Sequence, residues 1–129
     1  MEILKHINWK QVSLQSENEM QRLLHGRSFQ VPEYEHVNID WLSPVVLIIL
    51  YKEVQRELIE ELSDTLLKKM TELEFNVRSI QVQYRCRDFA QTEVLFGEVI
   101  TDLVANEKGL KYQINLGSKQ NYGIFLDMI

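Results

Sequence analysis

Trp41-Leu42-Ser43-Pro44-Val45-Val46-Leu47-Ile48-Ile49-Leu50-Tyr51 is the stretch from which the rest of the chain is read. Residues 45–50 form an unbroken apolar run, rich in β-branched side chains. Six residues are too few for a membrane span and suit a strand buried on both faces. Pro44 stands at the first strand position, where a missing N–H is tolerated. From about residue 52 to 74 the apolar period changes to that of a helix. Val54, Leu58, Leu62, Leu66 and Met70 recur four apart, and Ile59, Leu67 and Leu73 widen the stripe. Glu53, Glu57, Glu60 and Glu61 crowd the first half, and Lys68 and Lys69 stand near the end, a distribution that complements the helix dipole. Glu60 and Glu61 belong to a solvated face and not to an acid/base pair.

Residues 77–85 follow. Ile80, Val82 and Tyr84 alternate with Ser79, Gln81, Gln83 and Arg85, as in a half-buried strand. Strand, long helix and strand make a β-α-β unit with parallel strands and a right-handed crossover. Beyond it the character is antiparallel. Val94-Leu95-Phe96 is short and apolar. Residues 103–105 and 110–116 flank Asn106-Glu107-Lys108-Gly109, where Gly109 suits the left-handed position of a bulged hairpin turn. Leu110, Tyr112, Ile114 and Leu116 share one face of the second strand. Ile124-Phe125-Leu126 is a last short strand.

Upstream, Ser16 and Glu19 form a capping box for a short helix carrying Met20, Leu23 and Leu24, which Gly26 stops. Residues 29–39 read as a loop or irregular extended segment around Pro32. The expected fold is α+β: a β-α-β unit with one long helix, an antiparallel β-hairpin region and a short helix near the N-terminus. All 129 residues form a single domain, with a helix and loop lead-in over 1–40, the β-α-β unit over 41–90, and the hairpin and edge strand over 91–129.

Composition narrows the function. The chain is 45% hydrophobic with 5 Gly and 2 Pro, so an ordered core is expected. The first ten residues lack the pattern of a signal peptide. One cysteine excludes an internal disulfide framework, and a cytoplasmic setting without a membrane partner is expected. A net charge of −5 argues against strong nucleic-acid binding through phosphate neutralisation alone, but leaves room for a local patch. Arg78, Arg85 and Arg87 beside Tyr84 are candidates for such an RNA-facing patch, in which basic groups meet phosphate and an aromatic ring stacks on a base. A solvated strand face explains the same residues. Arg27, in His25-Gly26-Arg27, is a further candidate, although a helix C-terminus repels anions. His25 and His36 show no zinc-type ligand pattern, and no metal is expected. Cys86, between Arg85 and Arg87, reads as a semi-buried strand-end cysteine; its arginine neighbours also suit an activated thiol.

Several stretches, taken in order, resemble one family. They are Leu24-His25-Gly26-Arg27, then Glu35-His36-Val37-Asn38-Ile39-Asp40-Trp41, the strand after Pro44, and the hairpin Glu107-Lys108-Gly109-Leu110-Lys111-Tyr112. Together they resemble the N-terminal, pre-catalytic region of class I S-adenosylmethionine (SAM)-dependent methyltransferases, of the type that methylates cytosine C5 in large-subunit ribosomal RNA. Residues 116–127, LGSKQNYGIFLD, are similar to the family stretch L-G-x-x-x-N-T-G-x-F-L-D-x-R. Gly123, Phe125, Leu126 and Asp127 match it, while Tyr122 replaces its Thr and Ile129 its Arg. The resemblance implies that Gly123, Phe125 and Asp127 are the remnant of a cofactor edge. It also implies that the sequence stops before the SAM-binding domain.

A SAM-binding fold needs a strand opening into a Gly-rich turn, with an acidic residue about 20 positions on for the ribose hydroxyls. No such turn is present in the sequence. Expected, then, is an accessory, substrate-positioning part of an RNA methyltransferase, inactive by itself and without a cofactor of its own. The alternative is a free-standing small α/β protein that forms a homodimer through the C-terminal strand, whose apolar side chains and open edge would otherwise be exposed.

Overall fold

The structure is a computed structural model. It describes residues 7, 9–14, 19–25, 37–85, 91–107 and 110–115. In chain order these form α1 (Trp9–Leu14), β1 (Gln21–His25), β2 (Val37–Leu42), β3 (Val45–Leu50), α2 (Arg56–Glu72), β4 (Ser79–Tyr84), β5 (Gln91–Gly97), β6 (Asp102–Glu107) and β7 (Leu110–Asn115). β1 to β5 make one sheet in the order β1-β2-β3-β4-β5, and β6 and β7 make a separate two-stranded sheet.

β3 lies at the centre. It runs antiparallel to β2 and parallel to β4, with Ile48 opposite both Ile39 and Val82. The continuous apolar run explains this position, because its alternate side chains need cover on both sides. Val46, Ile48 and Leu50 join the core beneath α2, with Ile39, Trp41, Ile80 and Val82 from the neighbouring strands. Val45, Leu47 and Ile49 join a second core with Leu42, Met20, and Leu103 and Ile114 of the β6–β7 hairpin. Helix, sheet and hairpin are therefore three layers.

The β-α-β unit and the hairpin follow the expected α+β pattern, and several details differ. Leu23 and Leu24 lie in β1, not in a helix. β1 pairs antiparallel with β2, and both leucines are buried. The gain from closing the β2 edge outweighs a capping signal worth about 1 kcal/mol. The short N-terminal helix is α1, from Trp9 to Leu14, and its Trp9 ring lies 5.8 Å from the Lys69 ammonium of α2. Residues 37–39 are strand and not loop. Pro44 sits in the two-residue turn between the paired Leu42 and Val45. β4 is buried along its whole length instead of on one face, because Ser79, Gln81 and Gln83 point into the side that carries the hairpin. β6 and β7 pair without a register shift from Asp102↔Asn115 to Glu107↔Leu110, and Gly109 lies outside the described residues. Residues 116–129, with the expected last strand, also lie outside them.

α2 presents Ile59, Leu62, Ser63, Leu66 and Met70 to the sheet. Leu58, included in the expected stripe, is 44% exposed. A row of residues four apart drifts around a helix of 3.6 residues per turn, so its upper end leaves the buried face. After α2, Glu74 adopts a left-handed φ of 67°. Phe75 N–H then reaches back to the Met70 carbonyl and Glu74 N–H to that of Thr71, which closes the helix end. Phe75 packs edge-on against Trp41, with ring centroids 5.3 Å apart. No helix among the described residues is long and apolar enough to cross a membrane.

Leu66, fully buried beneath the sheet, and Leu58, largely in solvent, give a direct test of this layer. Leu66→Ala should cost about 3 kcal/mol in urea unfolding with an unchanged m-value, whereas Leu58→Ala should stay within about 0.5 kcal/mol. Equal costs would mean that α2 is rotated from the orientation described.

Candidate functional site

β4 connects the candidate arginines and also separates them. Arg78 precedes its first residue and Arg85 follows its last. Seven residues of extended chain place them about 23 Å apart. The two do not form one patch. Arg27 and Arg87, and with them Cys86, lie outside the described residues.

At one end of β4, Arg78 donates two hydrogen bonds of 2.7 Å to the Glu98 carboxylate. Both side chains are about half exposed. The backbone reinforces this pairing. Arg78 N–H donates to the Pro44 carbonyl and Glu98 N–H to the Arg78 carbonyl, each at 3.0 Å. At the end of β5, just before Glu98, Gly97 takes φ +80°, and a Cβ there would collide with the Arg78 carbonyl oxygen. Only glycine suits that approach. Arg78 is thus a clamp on the chain leaving β5 toward the hairpin. Hydrogen bonding to the guanidinium holds the Glu98 carboxyl below its usual range.

At the other end, Arg85 follows β4 as Tyr51 follows β3, the two parallel strands. Arg85 N–H donates to the Leu50 carbonyl at 2.8 Å, and its guanidinium lies 5.7 Å from the centroid of the Tyr51 ring. Arg85 Nε donates to Gln83 Oε1 at 2.7 Å, and Asn38 Nδ2 donates to the Tyr51 hydroxyl at 3.3 Å. Planar and amide groups from three strands or strand ends therefore meet here. Tyr84, the aromatic partner expected from the sequence, points to the opposite side of the sheet. There its hydroxyl donates to Glu93, which also takes a 2.6 Å hydrogen bond from Arg56 Nη1.

The hairpin side of the sheet carries most of the buried polar groups. Arg22 of β1 grips Asp40 of β2 with bonds of 2.7 and 3.1 Å, and Asp40 is completely buried. Gln81 Nε2 donates to the Ile100 carbonyl at 2.8 Å, which ties the chain entering the hairpin to the middle of the sheet. Sequence reasoning passed over Arg22, Asn38, Asp40, Tyr51 and Gln81. The signal lay in the alternation of Val37, Ile39 and Trp41, which leaves Asn38 and Asp40 on the opposite face of a strand.

A SAM-type cradle is not formed by these residues. The link from β3 to α2, Tyr51-Lys52-Glu53-Val54-Gln55, contains no glycine, and Gln55 makes no side-chain cap at the helix start. The described residues do not fit the cofactor, and Gly123, Phe125 and Asp127 lie outside them. Among the described residues no group of three or more His, Cys, Asp or Glu is placed to hold a metal ion. The His25 side chain and all of His36 fall outside the described part.

Residues 21–129 match the family model of S-adenosylmethionine-dependent methyltransferases. Two solved structures share the fold. A provisionally assigned SAM-dependent methyltransferase from Streptococcus mutans aligns with a TM-score of 0.63 and 21% identity, over 98% of this chain and 33% of its own. SMU.776, a provisionally assigned methyltransferase complexed with SAH, aligns with the same TM-score and identity, over 98% of this chain and 32% of its own. This chain thus spans about a third of the length of either structure. No curated protein matches it.

Two measurements check the electrostatics. Arg22→Met leaves the Asp40 charge buried and should cost about 3–5 kcal/mol, while Arg22→Met with Asp40→Leu should recover most of that loss. A simple sum of the two single-variant costs would contradict a buried pair. Glu98, whose folded pKa is depressed, contributes stability that is present above its unfolded pKa and is lost as pH falls through the folded one. Its carboxyl carbon, followed by NMR, should titrate below the ordinary glutamate range, and in Arg78→Met it should return to that range.

Proposed function

The chain belongs to the S-adenosylmethionine-dependent methyltransferase family, and from that premise we propose that it is the accessory, substrate-positioning part of an RNA methyltransferase, with no methyl transfer of its own. One observation carries this reading. The only strand–helix–strand unit among the described residues enters its helix without the glycine turn that brings backbone N–H groups against a cofactor. SAM supplies an electrophilic methyl group when bound, and no side chain described here is placed to hold it. The chain's contribution is a rigid platform: a sheet supported on one side by α2 and on the other by a hairpin pinned by Arg78, Gly97 and Gln81.

RNA, with large-subunit ribosomal RNA as the narrower choice, follows from the resemblance of residues 24–41 and 103–127 to enzymes that modify it. The Arg85 guanidinium beside the Tyr51 ring supports that choice, because RNA readers favour such planar groups over a purely basic surface. A net charge of −5 fits recognition by local contacts. A cytoplasmic setting accords with a single cysteine in 129 residues.

Calorimetric titration of the chain with SAM should give no saturable heat. Saturable binding at one site per chain, or methyl transfer to RNA by this chain alone, would overturn the accessory reading.

A further inference from the structure

We infer that the buried Arg22–Asp40 pair is a register lock: it holds the extra residue of β1, Leu23, in place, and with it the bond that fastens the hairpin to the five-stranded sheet. β1 pairs with β2 out of step. Arg22 lies opposite Asp40 and Leu24 opposite Ile39, which leaves Leu23 as the unmatched residue of a bulge. Leu23 and Leu24 both enter the core beneath α2, which adjacent residues of a regular strand cannot do. The extra residue inverts everything upstream of it. Arg22 turns to the hairpin side and meets the completely buried Asp40. Met20 enters the core beneath the hairpin, with Leu42. Its N–H donates to the Asn106 carbonyl of β6 at 2.7 Å, and Glu19 bridges Asn106 in parallel. Residues 19 and 20 therefore join the two sheets.

A bulge-free β1 is the rival arrangement. With Leu24 still opposite Ile39, Leu23 would oppose Asp40 and Arg22 would oppose Trp41. Apolar burial hardly separates the two registers. One puts both leucines beneath α2; the other puts one leucine beneath each layer. Charge separates them. The rival would carry the Arg22 guanidinium to the fully buried Trp41 and leave the Asp40 carboxylate facing a leucine. Specifying register is a well-attested use of buried polar groups. A shift by one residue also reverses the face of each side chain and the edge toward which each N–H points. Met20 would leave the hairpin core, and its N–H would turn away from Asn106. A pair between β1 and β2 thus decides a contact of β6.

The test is amide hydrogen exchange of the full chain, followed by NMR, with protection at Met20 read relative to Ile48 of β3. Arg22→Met with Asp40→Leu places no charge in either register. Met20 should then lose its relative protection by at least about tenfold. Val82 of β4 should keep its own, since the central strands do not depend on the register of β1. Deleting Leu23 from that double variant removes the residue that makes a second register possible. Relative protection at Met20 should return to within about twofold of the parent. Unchanged protection at Met20 in the double variant overturns the lock. So does a Met20 that stays unprotected after the deletion, because the pair would then fasten the hairpin by its charge and not through register. If Ile48 and Val82 lose protection as well, the double variant has unfolded, and deletion of Leu23 from the parent decides. Arg22 still meets Asp40 there, so Met20 should keep its relative protection within about twofold, and its loss refutes the lock.

Discussion

A strand with apolar side chains on both faces has to be covered twice, and β3 imposes that requirement on everything around it. All six of its residues are 0–1% exposed. One face needs a helix with an apolar stripe, and α2 follows directly in sequence to supply it. The other face needs a different layer, and the hairpin supplies that through Leu103 and Ile114. Burying six aliphatic side chains at about 2 kcal/mol each gives this one strand a leverage that no surface ion pair among the described residues approaches. The parallel pairing with β4 follows as well, because a chain that has crossed the sheet through α2 returns in the same direction.

The two cores differ in kind. Beneath α2 the neighbouring strands add Ile39, Trp41, Ile80 and Val82, and the layer is apolar but for Ser63. Beneath the hairpin β3 is apolar throughout and β2 adds Leu42, while β2 and β4 otherwise present Asn38, Asp40, Ser79, Gln81 and Gln83. The first core supplies cohesion. The second supplies direction, since Gln81 on the Ile100 carbonyl and Arg22 on Asp40 each accept few alternative geometries. Candidate functional groups cluster on the second side because that is where polar side chains are held in place by neighbours.

The long elements could be read from the sequence because one cause dominated each of them. β3 was visible as a hydrophobic run, α2 as a helical stripe, β4 as an alternation, and the hairpin as two such runs about a turn. β1 and β2 were missed because their evidence is tertiary. Leu23 and Leu24 fit a short helix as well as a strand, and only the open edge of β2 decides between them. The burial of Gln81 and Gln83 could not be inferred either, since alternation announces one solvated face and says nothing of a hairpin folding over it. The candidate site shows the same division. Arg85 was found by its type, but Tyr51 beside it and Asn38 on the Tyr51 hydroxyl come from other strands, and Tyr84, its neighbour in sequence, faces away. Alternation along β4 requires that separation, because adjacent residues of a strand cannot share a face.

Each strand of the five-stranded sheet lies beside its predecessor in the chain. That ordering has a kinetic meaning. The antiparallel pairing of β2 with β3 closes only a two-residue turn, so little chain entropy is lost before contacts repay it, whereas β3 and β4 pair across the α2 crossover. The sheet can grow strand by strand from the N-terminal side, while Met20 N–H must wait for the Asn106 carbonyl of β6 before it is hydrogen-bonded. During synthesis, a ribosome emitting this polypeptide would release it in the order in which its parts can pair.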